Sequence, residues 1–127
     1  MQTKQQQRAQ FALENIGSSG TVDKETANFI VGTPTMILTN GIGQTLAFLL
    51  SKKDKDKKRG KEKMVFELIK KWLCKTMNTE FGTPPSDIDF IRKFNGLSQQ
   101  KYLEAQHETL KLLEWLKRYA RAFQEEK

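Results

Sequence analysis

The chain has 127 residues and a net charge of +7 at neutral pH; 37% of it is hydrophobic, with eight Phe and two Trp but only three Pro and eight Gly. That suffices for one domain burying about two thirds of the surface its unfolded form would expose, and it excludes disorder along the whole length. The lone Cys74 excludes an internal disulfide and suits a reducing cytoplasm, and the pattern holds neither a signal peptide nor an uninterrupted apolar run of about twenty residues.

A first helix is expected from Thr3 to Ile16, with Ala9, Ala12, Leu13 and Ile16 on one side and Lys4, Arg8 and Asn15 on another. It is short and amphipathic, with a basic face. Gly17, Ser18, Ser19 and Gly20 break it, and Asp23 can cap a second helix through Ala27, Phe29, Ile30 and Val31 that Gly32 ends. Thr33 followed by Pro34 favours initiation of a third helix, which continues to about Leu50.

At about 100° per residue, the large apolar side chains of this third helix cover most of its circumference. Asn40, Gln44 and Ser51 gather into one narrow polar stripe, the pattern of a mostly buried helix. Gly41 and Gly43 inside it cost about 1 kcal/mol each in helix propensity. A close approach by another helix would offset that cost, whether from the fold's own core or from a partner's surface.

The stretch from Lys52 to Lys63 follows as a basic loop, mobile from about position 52 to 62. Lys52, Lys53, Lys55, Lys57, Lys58, Arg59, Lys61 and Lys63 face only Asp54, Asp56 and Glu62 there, a net +5 of the whole chain's +7. Two readings stay open: a solvated linker that keeps the protein soluble, or a contact with an anion such as a nucleic-acid backbone.

A fourth helix begins near Glu62, with Val65, Leu68, Ile69, Trp72 and Leu73 as its apolar arc and Cys74 near the edge. After the turn Gly82-Thr83-Pro84-Pro85, Ser86 caps a helix through Ile88, Phe90, Ile91 and Phe94, which ends at Asn95 and Gly96. Ser98 opens the longest helix, to about Gln124. Its apolar face is Tyr102, Ala105, Leu112, Leu113, Leu116, Tyr119, Ala120 and Phe123, with Lys111, Glu114, Lys117, Arg118 and Arg121 opposite. No strand pattern appears, so the expected fold is all-α, a single compact bundle of about five to seven helices over the whole chain.

Enzymatic chemistry finds little support. His107 is the only histidine, so a metal site would rest on scattered carboxylates, and no cofactor is implied. Gly41-Ile42-Gly43 lacks both a preceding strand and the third glycine of a dinucleotide fingerprint, since position 46 is Leu46. Asp87 and Asp89 point to different sides of a helix and suit its first turn, where negative charge is favoured.

Three segments taken together resemble one family: Gln6-Gln7-Arg8-Ala9-Gln10-Phe11-Ala12, the stretch Pro34 to Leu50 with Ser51-Lys52, and Tyr102 to Phe123 with Glu114-Trp115-Leu116-Lys117-Arg118-Tyr119-Ala120. Their order and spacing are similar to the small α-helical subunit of the type III-B CRISPR effector, the Cmr complex, in which it is the fifth Cmr protein. The resemblance implies a non-catalytic cytoplasmic subunit of a ribonucleoprotein in antiviral defence. Such subunits stack beside the backbone subunit, near the large polymerase-like subunit, and line the channel where guide RNA and target RNA pair.

For such a role the candidate RNA contacts are Arg8, Lys52, Lys53, Lys55, Lys57, Lys58, Arg59, Lys61, Lys117, Arg118 and Arg121. Asn40 and Gln44 are candidates for contact with RNA or a neighbouring subunit, or for a satisfied polar seam within the bundle. Stacking by a head-to-tail contact, weak without the shared RNA, implies a monomer in isolation. Two alternatives stand beside this reading: a free-standing basic nucleic-acid-binding protein, and a protein-only scaffold.

Overall fold

The computed structural model describes residues 1–16, 21–53 and 60–125. Among the described residues lie seven helices: α1 (Lys4–Ile16), α2 (Lys24–Asn40), α3 (Ile42–Lys53), α4 (Lys61–Thr76), α5 (Asn78–Phe81), α6 (Asp87–Asn95) and α7 (Gln99–Ala122). No strand accompanies them, so the all-α bundle expected from the sequence is the fold observed. The middle of the basic segment lies outside the described residues. None of the helices is long and apolar enough to cross a membrane.

Side-chain caps start three helices where the sequence places them. The Asp23 carboxylate accepts from the Thr26 amide at 2.7 Å, Ser86 from the Asp89 amide at 3.3 Å, and Ser98 from the Lys101 amide at 3.2 Å. The four-residue α5 has no counterpart in the expected elements. It forms just before the expected turn, where Phe81 is fully buried, with its ring 5.0 Å from Phe90 and 5.9 Å from Phe94.

The chain departs from expectation between Val31 and Leu50. Gly32 ends no helix and Pro34 begins none, since α2 runs through both to Asn40. Pro34 lacks the amide that would donate to the Ile30 carbonyl. The buried face of Ile30, Thr33 and Ile37 around it outweighs that loss and keeps the helix intact. The break comes instead at Gly41, whose φ of +86° is a conformation that side chains with a Cβ rarely adopt.

What read as one buried helix is therefore the end of α2 and the whole of α3. The polar stripe does not survive the break: Asn40 closes α2, whereas Gln44 and Ser51 belong to α3. Nor is the segment buried all round, as its apolar circumference led one to expect, because Leu38 is 70% and Phe48 38% exposed.

The two glycines serve the fold's own packing. The Gly43 amide donates to Tyr102 Oη at 2.8 Å and the Ile42 amide to Gln106 Oε1 at 3.0 Å. Side chains of α7 thus satisfy two amides in the first turn of α3, which has no capping side chain of its own. A Cβ at Gly43 would stand 2.8 Å from Tyr102 Oη, closer than that hydroxyl can tolerate.

Helix α7 packs along α1 and α2, and α4 packs along α3 and also touches α2, α5 and α7. Ile30 and Ile37 of α2, Leu46 and Leu49 of α3, Ile69 and Trp72 of α4, and Leu112 and Leu116 of α7 meet in one core. From it a row of rings runs outward, Phe66 to Phe90 at 6.0 Å, Phe90 to Phe94 at 6.0 Å and Phe94 to Tyr102 at 5.4 Å. Finally, the Val22 amide donates to the Phe123 carbonyl and the Glu125 amide to the Val22 carbonyl, each at 2.8 Å. This isolated parallel bridge fastens the start of α2 to the end of α7.

Two glycine substitutions should therefore act in opposite directions in thermal or urea denaturation. Gly43→Ala is expected to destabilise by about 1–3 kcal/mol through overpacking against Tyr102, and the loss should shrink in a Tyr102→Phe background. Gly32→Ala, with nothing within 4 Å of the new Cβ, should stabilise by about 0.5–1 kcal/mol through helix propensity.

Candidate nucleic-acid interface

The basic side chains divide into those held by carboxylates within the fold and those left to face solvent. Arg8 belongs to the first group. Its Nε donates to Glu108 Oε2 at 2.7 Å and its Nη2 to Glu108 Oε1 at 2.9 Å, while Trp72 Nε1 donates to Oε2 at 2.9 Å. The pair is 11% and 12% exposed. Arg8 therefore does not stand on an open basic face beside Lys4; with Ala12 and Ile16, four and eight residues on, it shares the buried side of α1.

Burial is the largest influence on Glu108 and pushes its carboxyl up. The bonds from Arg8 and Trp72, with the charge of Arg8, outweigh burial and hold the carboxyl below its ordinary value. A carboxylate held this way stays ionised at neutral pH, and its two oxygens tie α1 and α4 to α7.

Lys61 is also held. It opens α4, with Nζ 3.0 Å from Glu25 and 3.4 Å from Glu62 and 5.7 Å from the centre of the Phe29 ring. It joins α4 to α2 and is no loop residue. Lys52 and Lys53 likewise end α3, where the helix dipole favours cations. The Lys52 side chain is exposed, with Nζ 5.8 Å from the Phe48 ring centre. Lys55, Lys57, Lys58 and Arg59 lie outside the described residues.

On α7, Lys117 is half-buried and 3.3 Å from Glu114, and Arg121 donates to Gln124 Oε1 at 2.6 Å. Arg118 is exposed and, among the described residues, has no acidic partner. The same holds for Lys111, on the outer face expected of this helix. Lys111 and Arg118, seven residues apart, fall on one stripe with Glu114 and Trp115. The stripe borders a cavity of about 430 Å³ between α1 and α7, lined by Gln5, Arg8, Lys111, Glu114, Trp115 and Arg118.

The cavity continues along the seam between the two helices. Trp115 and Gln5 also line an adjoining hollow with Thr3, Gln6 and Ala9, and Gln6 and Ala9 line a third with Leu13 and Tyr119. The result is a trough with aromatic and amide walls and cations at one end, a surface suited to phosphates and bases. Of the residues expected to contact RNA, this trough brings together Arg118 and the internally bonded Arg8. It leaves Lys52, Lys61, Lys117 and Arg121 outside its walls.

Asn40 and Gln44 are both exposed, and neither side chain has a hydrogen-bond partner among the described residues. They form no seam within the bundle. That role belongs to Gln106 and Tyr102, which bond the backbone of Ile42 and Gly43, and to Thr33 and Thr45, which donate to the carbonyls four residues before them.

Reactive chemistry is sparse. Cys74 is buried, and burial pushes its thiol up against the opposing charges of Lys70 and Lys93, the reverse of what a nucleophile requires. Among the described residues no group of three or more His, Cys, Asp and Glu side chains is placed to hold a metal ion.

A family model described as CRISPR-associated protein (Cas_Cmr5) matches residues 4–123. The match begins at the first residue of α1 and takes in all seven helices.

Breaking the carboxylate node should be costly. Arg8→Met is expected to lose about 2–3 kcal/mol of stability, somewhat less than the 3–5 typical of a fully buried pair, measurable by urea unfolding at neutral pH. The depressed Glu108 carboxyl contributes stability that is complete above about pH 5 and is lost as pH falls through its folded value. Glu108→Gln should therefore be less stable at neutral pH but should lose stability less steeply on acidification than the parent chain.

Proposed function

Because the chain belongs to the Cas_Cmr5 family, and is thus a small subunit of the type III-B CRISPR (Cmr) effector complex, we propose that it acts there without catalysis, as an RNA-lining subunit. In this reading copies of the chain stack beside the backbone subunit, close to the large polymerase-like subunit. They line the channel in which guide RNA and target RNA pair, and so support target binding in antiviral defence in the cytoplasm.

The observation that carries the RNA-facing assignment is the α1/α7 trough. Lys111 and Arg118 stand at its end with no acidic partner among the described residues, next to an accessible Trp115. A protein that lines a paired guide and target has no need to read sequence, because base pairing already does. It needs cations to meet phosphates and polar or aromatic groups that tolerate any base, and this face supplies both.

Lys52 and Lys53 at the end of α3, with Lys55, Lys57, Lys58 and Arg59 beyond them, add a second set of cations for the same backbone contact. Asn40 and Gln44, exposed on either side of the α2 to α3 break, are offered as contacts to the neighbouring copy or to RNA. A head-to-tail contact of this kind is reinforced by the shared RNA and backbone filament. The isolated chain is accordingly a monomer in dilute solution.

Reconstitution of the complex with and without this chain tests the proposal. Omission is expected to weaken target-RNA binding and to change subunit stoichiometry, and unchanged values for both would overturn it. Replacing Lys55, Lys57, Lys58 and Arg59 together with Gln should weaken target binding and flatten its salt dependence. Full affinity in that variant would favour a role for the segment in solubility alone.

A further inference from the structure

Trp115 and Tyr119 of α7 and Phe123 at its C-cap recur every four residues and stack on one another. Their ring centres are 6.0 Å and then 6.4 Å apart, with planes inclined by 29° and 28°. All three are partly buried against the core. Trp115 ends this row and borders the α1/α7 cavity, where Lys111 and Arg118 are free of acidic partners among the described residues. The exposed carboxylate in the wall, Glu114, is engaged by Lys117 at 3.3 Å, and Glu108 is closed off by Arg8 and Trp72.

A group that extends the row beyond Trp115 must be planar and aromatic, and one that also sits beside Lys111 and Arg118 should carry negative charge. A nucleotide meets both conditions. We propose that this cavity is a stacking site for one unpaired nucleotide of single-stranded RNA, its base against Trp115 and its phosphate toward Lys111 and Arg118. Gln5 stands in the same wall with a side-chain amide that makes no hydrogen bond among the described residues, and so can donate to or accept from whichever base edge is presented. The inference rests on the reading that this face of the subunit meets RNA and adds a preference to it: a base already stacked inside a duplex offers no free ring, so the site selects unpaired stretches.

Intrinsic tryptophan fluorescence of the chain, titrated with oligouridylate, provides the test. Trp72 is fully buried, so a quench by the oligonucleotide reports on Trp115. Trp115→Phe keeps an aromatic face and should retain binding measured by fluorescence anisotropy of labelled RNA. Trp115→Leu keeps an apolar side chain without a ring face and should bind roughly tenfold more weakly, with circular dichroism melts checking that both variants fold. Lys111→Gln with Arg118→Gln should weaken binding and reduce its salt slope.

Equal affinity of the Trp115→Leu variant and the parent chain would overturn the stacking site, as would equal affinity for a duplex of the same length. Uridine monophosphate binding as tightly as the oligomer would overturn the assignment to an RNA strand. In the reconstituted complex, target binding that falls in the Lys111/Arg118 variant but not in Trp115→Leu would overturn stacking while leaving the channel-lining role intact. A fall in both supports the two together.

Discussion

A carboxylate drawn mostly out of water must find donors for both its oxygens or give up its charge. Glu108 finds them on two other helices, accepting two bonds from Arg8 of α1 and one from Trp72 of α4. The rings of Phe11 and Trp72 pack beside this node with centres 4.8 Å apart. Because guanidinium and carboxylate meet edge to edge at two points, the pairing fixes both the spacing and the relative angle of α1 and α7. The dimensions of the trough between those helices follow from that single arrangement, and so does the outward aim of the stripe that carries Lys111 and Arg118.

A second constraint sets where α3 sits. Two amides at the start of that helix are completed by Tyr102 and Gln106, so its first turn is registered against α7 while its length packs on α2 and α4. Tyr102 is also the last ring of the row that starts at Phe66, which connects the glycine contact to the packing of α4 and α6. The formal charge of +7 is therefore a poor guide to available charge. Arg8, Lys61, Lys70 and Lys117 are occupied by Glu108, Glu25, Asp87 and Glu114, while Lys52, Lys111 and Arg118 face solvent without such partners among the described residues.

The sequence made legible whatever depends on short spacing. Asp23, Ser86 and Ser98 mark helix starts because a cap needs only the residues just after it, and the apolar faces of α4 and α7 follow from a period of 3.6. Contacts across the fold were beyond its reach. Nothing near Arg8 in the chain signals that Glu108, a hundred residues away, will claim it, although the spacing of Arg8, Ala12 and Ile16 already puts all three on one side. Gly32 and Pro34 look like punctuation locally, and the burial of Ile30 and Ile37 overrides both. Lys111 and Trp115 were readable as part of one helical stripe, but their value as a site depends on α1 lying alongside.

The bridge between Val22 and Gln124, like the pairing of α1 with α7, joins segments far apart along the polypeptide. Closing a loop of that length costs about 4 kcal/mol in chain entropy before any contact repays it. During ribosomal synthesis α1 thus waits for α7, with Phe11, Ala12 and Ile16 uncovered in the interval. A nascent chain that still lacks α7 would present that apolar face to chaperones and proteases, so the surface fit for assembly exists only once α7 is in place.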